Sequence, residues 1–263
     1  MDIVVCIKQV PDTAEMKRVR TDPSTGTIIR EGVPSIVNPF DEFAVEESVR
    51  LKEKHGGTVT AITMGPPQAL DALVKCLAMG ADKAILICDR SFAGSDTLAT
   101  SYTLAAAIRK TGKFDLIFCG QQAIDGDTAQ VGPGIAENLH IPQITYVNKV
   151  EVDGKVVTAW RETEAGLEVV QCRVPVLLTA TKGINEPRVP SFSAIAEAIE
   201  KEVPTWTVND LEVNRERLGL EGSPTRVIRV WTPEPRSGGQ ILKGEATELA
   251  RRLAQVLRDE GIV

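Results

Sequence analysis

Largely apolar runs alternate with amphipathic stretches through the first half of the chain. The runs predict strands at residues 3–7, 58–64, 84–88 and 116–119. Between them, apolar residues at helical spacing predict helices at residues 39–54, 67–79, 96–109 and 128–139. Strands that are apolar along most of their length are typical of a parallel sheet with helices on both faces. This half therefore predicts an α/β fold with a Rossmann-like, mostly parallel sheet.

The pattern changes in the second half. Four strand-like runs follow one another at residues 143–152, 155–162, 167–173 and 176–180. Turn dipeptides at Asp153-Gly154 and Ala165-Gly166 separate the first three, which predicts an antiparallel extension of the sheet. Beyond residue 181 the chain is rich in proline and charge, with helices predicted only at 193–200 and 244–260. We expect this region to form an arm that packs on another subunit, because its periodicity is too weak for a separate core.

Composition narrows the class of protein. The 263 residues are 43% hydrophobic and 25% charged, with a net charge of −6 and no basic run, which argues against nucleic-acid binding. No apolar stretch is long enough to span a bilayer, and the N-terminus lacks the features of a signal peptide. The five cysteines are scattered and mostly lie in apolar runs, so we expect buried thiols in a reducing cytoplasm. With two histidines and no C-x-x-C, no metal site is predicted.

The segment Asp125–Pro133 carries the strongest chemical signal. It lies between a predicted strand and a predicted helix, which is where open α/β sheets bind nucleotides, with phosphate at the helix N-terminus. The segment lacks both the G-x-G-x-x-G fingerprint and the P-loop motif. Small residues would let a ligand approach the backbone closely: Gly126, Ala129, Gly132 and Gly134. The alternative is a structural turn in which Asp127 or Thr128 caps the helix.

Two further loops lie at predicted strand ends. Asn38 to Asp41 opens the helix predicted at 39–54, where Asn38 suits the cap position. Gly94 to Thr97 opens the helix predicted at 96–109, with Ser95 or Asp96 as the cap. Capping is the simpler interpretation of both. Because loops after neighbouring parallel strands meet at one crevice, the first could instead contact an adenine or a ribose, and the second another phosphate-bearing ligand.

No catalytic set emerges beside these loops. His140 follows a helix end without an evident Ser or Cys partner. Glu46 and Glu47 fall on the polar side of the helix predicted at 39–54, where a solvated position is the default expectation. Nucleotide loops without an acid, a base or a nucleophile indicate that a bound cofactor performs the chemistry. We therefore predict no catalytic residue in this chain.

Several sequence blocks, in order, resemble the beta subunit of electron transfer flavoproteins over nearly the whole chain: residues 5–12, 37–41, 44–47 with 50–53, 64–66, 77–82 and 120–132. The resemblance implies a heterodimer with an alpha subunit that carries FAD. It also implies an adenine nucleotide in this chain, either AMP or the AMP half of a second FAD. The matching positions are Cys6, Asn38, Pro39, Phe40, Asp41, Met64, Gln121, Gln122, Ala123, Ile124, Asp125, Gly126, Asp127, Thr128, Ala129, Gln130, Val131 and Gly132.

The segment at residues 89–101 is similar to one that electron-bifurcating members of that family use near NADH. This likeness implies that NAD binds at Gly94, Ser95, Asp96 and Thr97. Electrons from NADH would then divide between ferredoxin or flavodoxin and a high-potential acceptor reached through the alpha-subunit FAD. The alternative is a docking subunit that holds structural AMP while the alpha-subunit FAD carries single electrons.

Residues 185–199 resemble the family's recognition loop, which docks an acyl-CoA dehydrogenase through an apolar tip. Phe192 matches the tip, flanked by Pro190 and Ile195. The lysine run that follows in simple members is absent, since this chain has glutamates at 197, 200 and 202. A hydroxy-acid dehydrogenase is therefore an alternative partner. The expected organisation is a nucleotide-binding domain at 1–183, a recognition segment at 184–202 and an arm at 203–263 that packs on the alpha subunit.

Overall fold

The computed structural model describes residues 1–12, 14, 20–21, 28–29, 34–228, 238–239 and 241–263. The strands are β1 (Asp2–Cys6), β2 (Gln9–Pro11), β3 (Arg20–Thr21), β4 (Ile28–Ile29), β5 (Ser35–Val37), β6 (Thr58–Met64), β7 (Lys83–Ile87), β8 (Leu116–Gly120), β9 (Gln143–Asp153), β10 (Val156–Thr163), β11 (Gly166–Arg173), β12 (Val176–Ala180) and β13 (Thr205–Trp206). The helices are α1 (Pro39–His55), α2 (Leu70–Ala78), α3 (Thr97–Thr111), α4 (Val131–Leu139), α5 (Phe192–Glu200) and α6 (Ala246–Asp259).

Nine strands form one sheet in the order β11-β10-β9-β12-β8-β1-β6-β7-β13. In this spatial order, β9, β12, β8, β1, β6, β7 and β13 each pair in parallel with their neighbour. The pairs β9–β10 and β10–β11 at the other end are antiparallel. The predicted α/β fold with a mostly parallel sheet and an antiparallel extension is thus confirmed. The last of the four strands in the second half, β12, does not join the antiparallel set that β9, β10 and β11 form. It lies parallel between β8 and β9.

Helices cover both faces of the sheet, which explains why its central strands are apolar on both sides. One core lies under α1 and α2 and includes Val5, Val45, Leu73 and Phe118. The other lies under α3 and α4 and includes Val4, Ile108 and Ile135 among its buried residues. The alternation of Val4 and Val5 between the two cores is the two-residue period of a strand. All five residues of β8 are buried.

The helix boundaries follow the expected ones closely except at two places. The helix predicted at 67–79 begins as a 3₁₀ turn at Pro67–Ala69 and continues as α2. The helix predicted at 128–139 begins at Val131, three residues late. The delay arises because Asp127 and Ala129 adopt left-handed backbone conformations, with φ of 50° and 52°, which a right-handed helix cannot contain.

Contacts divide the chain into two units, residues 1–228 and residues 229–263. In the second, α6 is strongly amphipathic, with Leu253 and Val256 among its exposed apolar residues. Of the helices that the structure describes, none is long and apolar enough to cross a membrane.

Candidate functional site

The candidate site lies where β1, β6 and β8, three neighbours in the sheet, reach their carboxyl ends. Cys6 is the last residue of β1, and Met64 is the last residue of β6. The segment 121–130 follows β8 and leads into α4, and residues 38–41 form the start of α1. The fold therefore brings together the positions predicted to bind FAD or AMP, which sequence order had separated.

Asn38 does not cap α1, contrary to the expectation. It occupies the cap position, but its side chain makes no capping hydrogen bond. Instead, its Nδ2 donates to the carbonyl of Gln122 at 2.8 Å, and its Oδ1 accepts from the backbone N–H of Ile124 at 3.1 Å. The side chain is fully buried. Asn38 therefore holds the loop after β8 against the start of α1.

Asp41 ties the same region together from inside the protein. Its buried carboxylate accepts from the backbone N–H of Lys8 at 2.7 Å and from that of Gly120 at 3.1 Å. Burial raises the pKa of Asp41 to about 7, although hydrogen bonds from Asn38 and the two backbone N–H groups act in the opposite direction. One side chain thus fixes the ends of β1 and β8 at the start of α1.

Gly120 is a site residue that the sequence patterns did not single out. A Cβ atom at this position would lie 2.3 Å from Oδ1 of Asp41 and 2.6 Å from the carbonyl carbon of Phe40. Only glycine leaves room for the carboxylate to reach the backbone of β8. The available signal was a glycine at the last position of an otherwise apolar strand.

The loop before α4 is built by its own polar side chains. Gln121 donates to the side chain of Gln122, and Gln122 donates to Oδ1 of Asp127 at 2.7 Å. The predicted cap at Asp127 or Thr128 is wrong, because the cap position is Gln130, whose side chain makes no capping bond. Val131 is the first residue of the helix, and the first N–H groups of a helix have no intrahelical partner. The N-terminus of α4 therefore keeps donors for a ligand.

The glycines of this region serve two different purposes. A Cβ at Gly132 would lie 2.7 Å from the side chain of Thr179, and one at Gly134 would lie 2.6 Å from Oγ of Ser101. These two glycines let α4 pack closely on β12 and α3, rather than opening the backbone to a ligand. Gly126 has open space around it instead, with no atom within 4 Å of a Cβ placed there. Of these three glycines, only Gly126 fits the expected close approach of a ligand.

Lys8 adds a cation that was not among the predicted site residues. It follows β1, and its Nζ lies 2.6 Å from a carboxylate oxygen of Asp125. The lysine side chain is 44% exposed, whereas that of Asp125 is 14% exposed. The pair crosses from the end of β1 to the loop after β8. Because the ammonium is paired with a carboxylate, the pair has no net charge.

Two buried thiols lie on the α4 side of the crevice. Cys6 and Cys119 are partners in the parallel register of β1 and β8. A hydrogen bond with Cys6, followed by burial, raises the pKa of Cys119 well above its usual value, so it stays a neutral thiol. The side chain of Met64 packs against the same core. Within the described ranges, no cluster of three or more metal-ligating side chains occurs.

The loop predicted to bind NAD opens α3. Oδ1 of Asp96 caps the helix by accepting from the N–H groups of Leu98 and Ala99. Its Oδ2 accepts from the backbone N–H and the hydroxyl of Thr225. Both carboxylate oxygens therefore have partners within the chain, as the capping interpretation expects.

The loop that opens α3 also contacts the segment that leads into α4. The hydroxyl of Thr97 donates to the side-chain oxygen of Gln130 at 3.0 Å. Ser95 donates to the carbonyl of Phe92, and Gly94 has a φ of 76° where it packs against Leu220. The N-termini of α3 and α4 are thus neighbours at one edge of the sheet.

The predicted recognition segment exposes apolar side chains. Phe192 is 93% exposed, and its neighbour Val189 is 91% exposed. Pro190 is half-buried, while Ile195 and Ile199 are exposed along α5. Ser191 caps α5 by accepting from the N–H of Ala194 at 3.2 Å. An aromatic side chain this exposed is a feature of interaction surfaces.

Glu46 corrects the expectation of a solvated helix face. It is only 2% exposed, and it accepts from Nε of Arg50 at 2.6 Å and from Nε of Arg188 at 2.8 Å. Burial disfavours its charge, yet the hydrogen bonds from Arg188 and Arg50 outweigh this and hold the pKa of Glu46 below its usual value. Glu47 accepts from Asn185 at 2.9 Å. The polar side of α1 is therefore a contact surface.

Comparison with known proteins agrees with this architecture. The model of the electron transfer flavoprotein domain matches residues 25–211. The electron transfer flavoprotein subunit beta of Clostridium acetobutylicum is 55% identical over 260 residues, which cover 99% of each chain. The caffeyl-CoA reductase-Etf complex subunit CarD of Acetobacterium woodii is 47% identical over 265 residues, covering 100% of each. Protein FixA of Azotobacter vinelandii is 51% identical over 244 residues, covering 90% of this chain and 86% of its own length. The chain belongs to the electron transfer flavoprotein beta subunit family.

Proposed function

We propose that this chain pairs with an alpha subunit, binds FAD and NAD(H), and passes electrons between NADH, ferredoxin or flavodoxin, and a partner dehydrogenase. The observation that carries the proposal is the closure of the β8–α4 loop by Asn38 and Asp41 at the carboxyl end of β1. The loop that leads into α4 is thereby held at the carboxyl edge of the sheet, and this edge is where parallel sheets commonly bind nucleotides, which supports the proposal. The function is that of an electron carrier within a complex.

The residues present fit the adenylate half of FAD. The N–H of Val131, the first residue of α4, suits a phosphate. Gly126 leaves open space beside the loop. The full set that would hold the nucleotide is the one predicted from the sequence: Cys6, residues 38–41, Met64 and residues 121–132. When bound, the flavin would supply hydride acceptance and release of electrons to two acceptors, which no side chain of the site can perform.

A second nucleotide is supported by the neighbouring loop. The hydrogen bond between Thr97 and Gln130 joins the starts of α3 and α4, so ligands at the two loops would lie side by side. NAD(H) would contact Gly94, Ser95 and Thr97, while Asp96 would act by fixing the start of α3. Electron bifurcation requires this adjacency of NADH and flavin. One 47% identical relative is named as a subunit of a caffeyl-CoA reductase–Etf complex, and this name supports a role in a larger redox assembly.

Two surfaces would serve protein partners. The exposed segment around Phe192, with Pro190 and Ile195, would dock an acyl-CoA or hydroxy-acid dehydrogenase. Residues 203–263 would pack on the alpha subunit, consistent with the exposed apolar residues Leu253 and Val256 of α6. We place the complex in the cytoplasm, in keeping with five free cysteines.

One observation favours a second candidate function. Both carboxylate oxygens of Asp96 already accept hydrogen bonds, one from the first turn of α3 and the other from Thr225, so neither is available to a ribose. In this alternative, the site at the N-terminus of α4 holds AMP as a structural ligand. The chain then docks an acyl-CoA dehydrogenase while the alpha-subunit FAD carries single electrons.

Nucleotide content of the purified heterodimer separates the two. Acid release and chromatography should yield two FAD per heterodimer, and NADH should reduce ferredoxin when the high-potential acceptor is present. One FAD with one AMP would instead establish the docking function. The variant Asn38→Ala should release the beta-site nucleotide and leave the alpha-subunit FAD, which assigns each nucleotide to its site.

A further inference from the structure

The exposed tip around Phe192 is suspended between two anchored points. Upstream, Arg188 is held on α1, and only three residues separate it from Phe192. Downstream, α5 packs against α2, Ala198 of α5 is 1% exposed, and Lys201 donates to the carbonyl of Ala81. The tip itself makes little contact with the rest of the chain, because Phe192 is 93% exposed. Its orientation therefore depends on the anchors.

The upstream anchor consists of a dense set of polar contacts with α1. Asn185 donates to the carbonyl of Phe43 at 3.0 Å and to Glu47. Both the backbone N–H and the guanidinium of Arg188 donate to Glu46. The guanidinium also binds Glu53, with Nη1 at 2.6 Å and Nη2 at 3.1 Å from its carboxylate oxygens. Arg188 thus grips two turns of α1 at once.

Stability alone does not account for this arrangement. A buried ion pair adds little net stability, because removing both charges from water offsets most of their attraction. Glu46 is nevertheless 2% exposed and takes hydrogen bonds from two arginines. What such a pair does provide is a fixed geometry, since a guanidinium fork binds a carboxylate in one plane.

We propose that Arg188 and Glu46 are positioning residues for partner docking: their ion pair fixes the backbone before Val189 so that Phe192 faces the dehydrogenase in one orientation. The proposal rests on the docking function proposed above and adds the device that orients the docking surface. It also gives Glu46 a role that the nucleotide site does not require.

The expected effect is on affinity and not on turnover. If loss of the anchor leaves the tip in its docking orientation for about one tenth of the time, the apparent affinity for the partner falls about tenfold. Electron transfer within a docked complex should not change, because the same complex forms. The KM for the heterodimer therefore rises while kcat stays constant.

A double-mutant cycle tests this in the intact heterodimer. The assay measures dye reduction driven by a substrate-reduced acyl-CoA or 2-hydroxy-acid dehydrogenase, whichever reduces the wild-type heterodimer, at varied heterodimer concentration. Phe192→Ala and Arg188→Gln should each raise KM about tenfold, and the double variant should raise it little further. If the two effects multiplied, so that the double variant raised KM about a hundredfold, Arg188 would act independently of Phe192, and this result would overturn the proposal.

Controls keep the outcomes distinct. Glu53→Gln removes the exposed half of the anchor and should change KM less than twofold, because exposed ion pairs contribute little. Nucleotide content and direct dye reduction by chemically reduced heterodimer should match wild type in every variant. Should Arg188→Gln not assemble, Arg188→Lys keeps the cation without the fork, and the same coupling to Phe192→Ala is expected. An unchanged KM for Phe192→Ala, or no reaction with either dehydrogenase, would instead reject the docking function itself.

Discussion

The side-chain amide of Asn38 donates to the backbone carbonyl of Gln122 at 2.8 Å, across 84 positions of sequence. The same side chain accepts from Ile124, so a single residue at the start of α1 holds the loop that follows β8. Asn38 itself is fully buried, so its amide depends on these two partners for its hydrogen bonds. The shape of the loop after β8 thus depends on a residue from another part of the chain.

Replacing Asn38 with alanine should lower the free energy of unfolding by about 2 kcal/mol, because the half-buried residues Gln122 and Ile124 each lose a hydrogen bond to a fully buried side chain. Urea denaturation of the heterodimer, with nucleotide content measured alongside, checks this. Asn209→Ala is the matched control, since that exposed amide only accepts from Arg215 on the surface. Equal losses for the two variants would contradict the role assigned to Asn38.

Asp41 should make stability depend on pH. Its pKa of about 7 in the folded protein lies above its ordinary value of 3.8, so the folded state binds the proton more tightly than the unfolded state. The resulting stabilisation is complete below about pH 4 and is lost as pH rises toward 7, at about 1.4 kcal/mol per pH unit at most. Unfolding free energies at pH 5 and pH 8 should differ less in Asp41→Asn than in wild type. An identical difference would show that Asp41 is charged in both states.

Gly120 and Gly126 offer a matched pair for substitution. Alanine at Gly120 would place Cβ against Asp41 and the backbone of Phe40, and we expect a loss of about 3 kcal/mol. Alanine at Gly126 meets open space, so stability should change by less than about 0.5 kcal/mol. Thermal unfolding of both variants measures the difference. A tolerated Gly120→Ala would mean that the Asp41 carboxylate does not lie against β8.

Substitutions of Asp96 distinguish a cap from a direct ligand. Asp96→Ala removes the cap of α3 and should lower stability by about 1 kcal/mol and raise the KM for NADH. Asp96→Asn can still cap, so the KM and the stability that the cap contributes should return to wild-type values. The hydrogen bond from the N–H of Thr225 stays lost, because an amide nitrogen cannot accept it. Steady-state kinetics with NADH, together with urea denaturation, gives both quantities. If asparagine failed to restore the KM while restoring stability, the carboxylate itself would contact NADH.

The strands were predictable because burial on both faces leaves an almost uninterrupted apolar signal, as in β8. The contacts of the polar residues were harder to predict, because their partners lie far away in the sequence. Asn38 and Asp127 both have the chemistry of a helix cap, yet Asn38 binds Gln122 and Asp127 accepts from Gln122. Glu46 looked solvated because its partner Arg188 lies 142 positions away. No local pattern reports a contact of that kind.

Helix α1 contacts Gly120 of β8 through Asp41 and contacts Arg188 through Glu46. The two positions are five residues apart along the helix, which corresponds to about 7.5 Å and a fixed rotation. Side chains along this interval can be exchanged without changing its length. Inserting or deleting one residue would instead rotate Glu46 by about 100° about the helix axis relative to Asp41, so the two contacts could no longer form together. In sequence comparison, this part of α1 should therefore vary by substitution alone, and it is an unsuitable place for tags or fusions.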